Sequence, residues 1–218
     1  MPHPYKFTDE KELSELLPEG RRILNLYLAQ ALTSNKDRVN IDRSTIRAFH
    51  LKKYNPKSLI GPLELYSHIA LKIFNEKFKY FSKISNYTEY SEFIFESAIL
   101  IVNEMNSQAM HSDFIKIGRA TKLFNLTCKA MLRDDRLTSE QLIKLCSLAH
   151  VPLDSFTLQG ICRLSTPFQI PSNASMGWEI LDDWGKYMTL QKWLKDFCEK
   201  YDSFPLDYEA VAFHKSHN

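Results

Sequence analysis

Glycine is scarce, six residues in 218, so few positions can adopt positive φ and few tight hairpins can form. That scarcity favours helices over a strand-and-turn architecture. No apolar run approaches the roughly 20 residues a membrane span requires. The longest, Phe93 to Val102, is interrupted by Glu96 and soon followed by Glu104. The segment Met1 to Asp9 lacks the apolar stretch of a signal peptide. A soluble, cytoplasmic chain without a membrane partner is expected, nucleoid-associated if bacterial.

Cysteine is sparse as well. Cys128, Cys146, Cys162 and Cys198 form no C-x-x-C pair, which argues against a zinc knuckle or an iron–sulfur cluster. Each lies in a helix-like pattern, where a reduced thiol behaves as a small hydrophobe. Cys146 and His150 have a metal-compatible i, i+4 spacing but no evident third ligand. His214 and His217 fall in a frayable tail. No P-loop, dinucleotide fingerprint or nucleophile elbow occurs. Neither a metal nor a cofactor is expected.

Hydrophobic residues make up 44% of the chain and charged residues 25%, enough apolar material for a packed core at this length. The net charge is only +2, but it is unevenly spread. Lys36 to Lys57 carries seven basic and two acidic residues, and Lys116 to Arg136 six and two. Glu179 to Glu209 reverses the balance, with four lysines against eight carboxylates. Such a chain could turn one positive face to a polyanion, or simply solvate its helix faces.

Apolar residues recur at helical spacing along most of the chain. A short helix is expected over Asp9 to Leu17, closed by Pro18-Glu19-Gly20, and another from Arg21 to Thr33. Asp42 or Ser44 would cap one ending near Lys53. Pro62 would open a helix to about Phe81, and Thr88 one to Asn106. Further helices are expected over Phe114 to Leu132, Thr138 or Ser139 to Ala149, Leu153 to Leu164, Trp184 to Tyr201 and Pro205 to Phe213. Thr166 to Met176 reads as irregular. The expected fold is all-α, a compact bundle of about nine helices in one domain over residues 1–218. Residues 1–110 would supply amino-terminal helices and 111–218 a hairpin and catalytic half.

Two short segments carry chemistry. In Gly118-Arg119-Ala120-Thr121-Lys122 a tight turn would feed a helix whose unpaired N–H groups and dipole favour a phosphate near the lysine. In Val151-Pro152-Leu153-Asp154 an aspartate follows a proline between apolar residues. Asp154 could cap a helix, or stand as a partly desolvated carboxylate facing a cleft.

Together these segments resemble the helix-hairpin-helix DNA glycosylase superfamily, whose hairpin reads Gly-Val-Gly-x-Lys and whose catalytic aspartate lies in a Val-Pro-Val-Asp-like segment. The archaeal-type 8-oxoguanine glycosylases are the most similar, since Lys129 follows Lys122 by seven residues as a second lysine does there. Pro205 to Phe213 is similar to that group's final helix, in which an acidic residue precedes a stacking aromatic. The resemblance covers Ile115 to Phe213. Ala120 stands where the hairpin has its second glycine, Leu126 where a second aromatic wall is expected, and Phe213 where tryptophan is usual.

The resemblance implies a DNA glycosylase, with Lys122 as nucleophile and Asp154 as the carboxylate beside C1′. It implies Glu209 and Phe213 on the extruded base, and Lys116, Gly118, Arg119, Ala120 and Lys129 toward the DNA backbone. The protein would act as a monomer on double-stranded DNA with an extruded base. Arg133 and the Lys36–Lys57 segment are further phosphate-gripping positions. Trp178, Trp184, Tyr187 and Trp193 could touch a base or belong to the core. Two other readings are a non-catalytic helical nucleic-acid-binding module, with Lys122 a phosphate ligand, and a helical protein-interaction domain with an acidic tail.

Overall fold

A computed structural model describes residues 3–41, 54–55, 57–110, 113–171 and 181–217. Among them the chain forms nine helices and no strand. They are α1 (Glu10–Leu28), α2 (Asn35–Val39), α3 (Pro62–Phe81), α4 (Tyr87–Ser107), α5 (Ile117–Met131), α6 (Ser139–Leu148), α7 (Ser155–Gly160), α8 (Trp184–Lys200) and α9 (Pro205–His217). No helix of the described residues is long and apolar enough to cross a membrane. The helix expected from Asp42 or Ser44 to Lys53 lies outside the described residues, as do Trp178 and the end of the irregular stretch after Pro171.

Local signals account for most helix ends. Pro62 occupies the first turn of α3, where its missing N–H costs nothing. Thr138 and Gln141 form a capping box at the start of α6. The cap of α4 is Asn86 rather than Thr88, because the Asn86 side chain accepts from Glu89 N at 3.0 Å.

The expected break at Pro18-Glu19-Gly20 does not occur. Helix α1 runs through Pro18, burying Leu13 and Leu17 before the proline and Leu24 after it. The lost backbone bond is outweighed by packing along the whole length of α9. Gly20 is the point of closest approach. A Cβ there would lie 2.0 Å from the carbonyl oxygen of Asp207. Beside it Arg21 Nε donates to Asp207 Oδ2 at 2.7 Å, and the Asp207 side chain is fully buried.

Gly20→Ala is therefore expected to lower the unfolding free energy by roughly 2–3 kcal/mol, since the two helices must separate. Helix propensity alone would predict a gain of about 1 kcal/mol. Urea denaturation measures the sign directly, and a stabilised variant would disprove the close contact.

The buried residues form two clusters. One gathers α3, α4, α5 and α6 with Leu24, Leu206 and Ala210. The other gathers the start of α1, the 151–164 segment and α8 with Tyr208, Val211 and Ala212. Helices α1 and α9 contribute to both. Helix α5 is packed on the first cluster through Leu123, Phe124 and Cys128. Val151 and Leu153, which flank Asp154, are packed in the second. The seam between the two clusters therefore brings Lys122 toward Asp154.

Candidate functional site

A cleft of about 700 Å³ opens at this seam. Its walls repeat at helical spacing: Lys122, Leu126 and Lys129 from α5 with Arg133 just past its end, and Glu209, Ala210, Phe213, His214 and His217 from α9. Ile23, Leu24 and Tyr27 of α1, Lys36 and Asp37 of α2, and Pro152 and Asp154 complete it with Gln30, Asn40 and Ile41. Asn40 adopts a left-handed conformation (φ 55°) and donates from Nδ2 to Leu126 O at 2.9 Å, which pins α2 against α5. Lys36, Lys122, Lys129 and Arg133 face Asp37, Asp154 and Glu209, so the described lining carries four cations and three carboxylates.

Lys122 Nζ lies 3.4 Å from Asp154 Oδ2, with side-chain exposures of 13% and 17%. Asp154 also caps α7. Its Oδ1 accepts from Phe156 N at 2.9 Å and Thr157 N at 3.1 Å, while Thr157 Oγ1 accepts from Asp154 N. The two roles weighed for Asp154 are thus compatible: one oxygen holds the helix end and the other faces the amine. Capping also fixes the side-chain rotamer, so the carboxylate is preorganised.

A second pair lies two helical turns along the same face of α5, a rise of about 10 Å. Lys129 Nζ donates to Glu209 Oε2 at 2.5 Å, and both side chains are nearly buried. The Lys129 ammonium sits 4.8 Å from the Tyr27 ring centroid, and the Arg133 guanidinium 4.7 Å from it. Arg133 further donates to Gln30 O and Ala31 O, tying the segment just past α5 to the one just past α1. Phe213 is 48% exposed and lies in the cleft wall. His217 stacks on it at 4.0 Å between centroids, and Phe156 meets both rings.

The tail expected to fray is the last turn of α9. His214 Nε2 lies 3.5 Å from Glu19 Oε1, and His214 and His217 line the cleft. Tyr27 and the two histidines went unrecognised as cleft residues in the sequence, although the α9 spacing 209, 213 and 217 puts His217 on the face of Glu209 and Phe213.

The hairpin positions differ from expectation. Helix α5 begins at Ile117, so Gly118 to Lys122 are helical and the turn lies earlier. Gly118 is buried against Leu181, which a Cβ would meet at 2.7 Å. Its N–H donates to Asp182 Oδ1, and the Arg119 and Ala120 N–H groups bond Lys116 O. These donors are already committed, and Gly118 and Ala120 do not line the cleft. Lys116 is exposed and pairs with Asp182 at 3.5 Å. Arg119 is half-buried; burial lowers the affinity of its guanidinium for a proton, against the opposing charge of Asp182.

The segment before Asp154 is held by a buried polar chain. Asn125 Nδ2 donates to Tyr187 Oη at 2.9 Å. Ser91 Oγ–H donates to Tyr87 O, so Ser91 Oγ accepts from His150 Nε2–H (3.2 Å) and the Tyr187 hydroxyl donates to His150 Nδ1 (3.0 Å), an order that fits a neutral imidazole. His150 lies beyond the end of α6 with both ring nitrogens engaged, so the i, i+4 spacing from Cys146 is not a helical one. No group of three or more metal-ligating side chains occurs among the described residues. Trp184 and Tyr187 stack at the seam of the two cores, and Trp193 packs on the second.

Burial pushes the His150 imidazole down to about 3. An unfolded histidine titrates near 6.5, so below that pH the unfolded chain binds the extra proton and stability is lost as pH falls. The unfolding free energy is expected to drop by about 2 kcal/mol between pH 7 and pH 5. Urea titrations at both pH values, compared with His150→Gln, test this. A flat wild-type profile would contradict it.

The chain matches no protein-family model, no curated protein and no solved structure.

Proposed function

We propose that this chain is a helix-hairpin-helix-type DNA glycosylase with abasic-site lyase activity, excising a damaged or modified purine, with 8-oxoguanine the leading substrate. The observation that carries the reading is the Lys122 amine 3.4 Å from the Asp154 carboxylate in an open cleft. A pair of this kind, largely withdrawn from water yet facing a cleft, is a poor source of stability and a good candidate for chemistry.

The target nucleotide must leave the duplex stack before its sugar can enter. Cleavage of the glycosidic bond builds positive charge on the sugar, which Asp154 stabilises. With one proton given up to solvent, the Lys122 amine forms a bond to C1′ as the C1′–base bond breaks; the base departs with that electron pair and takes up the proton that the attacking nitrogen sheds. Opening of the sugar ring leaves a Schiff base, and loss of a C2′ proton expels the 3′ phosphate. Lys129, expected toward the DNA backbone, is instead paired with Glu209 in the cleft lining two turns from Lys122, and on this reading the pair would meet the far edge of the base. Phe213 offers the exposed ring for stacking. Lys116 and Arg119 lie outside the cleft, where backbone phosphates would run.

The test is borohydride trapping with duplexes that each carry one damaged purine. A covalent protein–DNA adduct supports the reading. Salt-sensitive DNA binding with no adduct on any lesion would instead leave a non-catalytic binding module.

A further inference from the structure

We propose that Gln191, acting with Asn125, is a positioning residue that sets Asp154 against Lys122 through a clamp on Val151. The inference rests on the glycosylase reading above.

Val151 is fully buried three residues before Asp154, and its peptide groups are held by one side chain. Val151 N donates to Gln191 Oε1 at 2.8 Å, and Gln191 Nε2 donates back to Val151 O at 2.7 Å. Only one orientation of the amide satisfies both bonds, so the clamp fixes direction as well as distance. Asn125 Nδ2 reaches the same carbonyl at 3.4 Å. Asn125 lies on α5 one turn after Lys122, so it links the lysine's helix to the aspartate's segment.

Burial makes this link informative. Asn125 is 1% exposed, and its Oδ1 has no hydrogen-bond partner among the described residues. An unsatisfied buried acceptor is destabilising, and an apolar side chain of similar volume would avoid that cost. What the amide supplies instead is a directional tie between α5 and the 150–154 segment. Positioning of reacting groups to within a fraction of an ångström is where such ties have their largest effect on rate.

The two reactions at one site separate positioning from folding. Base excision needs the Asp154 carboxylate to stabilise the sugar cation. Strand cleavage at a preformed abasic site needs Lys122 to condense with an aldehyde and depends less on Asp154. Their ratio is unaffected by the fraction of protein that is folded.

For Gln191→Met, single-turnover excision from an 8-oxoguanine duplex is expected to fall on the order of 10²-fold. Cleavage of an abasic-site duplex should change by no more than about threefold, and affinity for a tetrahydrofuran-containing duplex should be unchanged. Should that variant not fold, Gln191→Glu carries the test. A protonated glutamic acid reproduces both bonds of the clamp, and its burial favours the protonated form. Its excision-to-cleavage ratio should match wild type at low pH and fall as the carboxyl ionises. Proportional loss of both reactions, or a pH-independent ratio in the glutamate variant, overturns the inference. If wild type forms no borohydride adduct, the glycosylase reading fails first and takes this inference with it.

Discussion

Lys122→Ala is expected to abolish the borohydride-trapped adduct and to slow strand cleavage at an abasic site by on the order of 10³-fold or more. The amine is the proposed nucleophile, and among the described residues no other amine lies within ion-pair distance of Asp154. Lys129 is the nearest alternative on α5, but it is two turns away and bonded to Glu209. Removal of Lys122 should barely affect folding, because the partly exposed Asp154 keeps its two backbone donors. Lys122→Gln keeps the length of the side chain without a nucleophilic amine and should be equally inactive. An adduct that survives in both variants would move the nucleophile elsewhere.

Asp154→Asn should reduce base excision on the order of 10³-fold while leaving thermal stability nearly unchanged. The separation follows from the two oxygens of the carboxylate. The capping function of Oδ1 passes to the asparagine carbonyl, since asparagine caps helices as well as aspartate does. The negative charge facing Lys122 is lost. Asp154→Ala removes both functions and should cost about a further 1 kcal/mol of stability. Excision rates measured beside calorimetric melting of both variants distinguish catalysis from capping. Equal excision by wild type and Asp154→Asn would reduce Asp154 to a cap.

The order of the helices was largely legible in the sequence, because helical periodicity and capping are local. Thr138 with Gln141, and Pro62 at a first turn, act over three or four residues and need no distant partner. The reading failed where a distant partner decides. Pro18 and Gly20 look like a terminator, yet the helix continues because α9, nearly two hundred residues away, packs against it. Gly118 looks like a turn glycine and instead admits Leu181 against α5. His217 looks like tail, and its contact with the Phe156 ring depends on where α7 lies.

The sequence by itself determined an all-helical chain, the local setting of Asp154 at a helix start, and the helical stripe of Lys122 and Lys129. Those properties depend on side-chain chemistry within one or two turns. Only the tertiary structure decided that Lys122 meets Asp154, that Lys129 meets Glu209, and that Tyr27 closes the same cleft. Contacts across 32 and 80 residues arise from how two apolar clusters pack against shared helices, and no local spacing encodes that geometry.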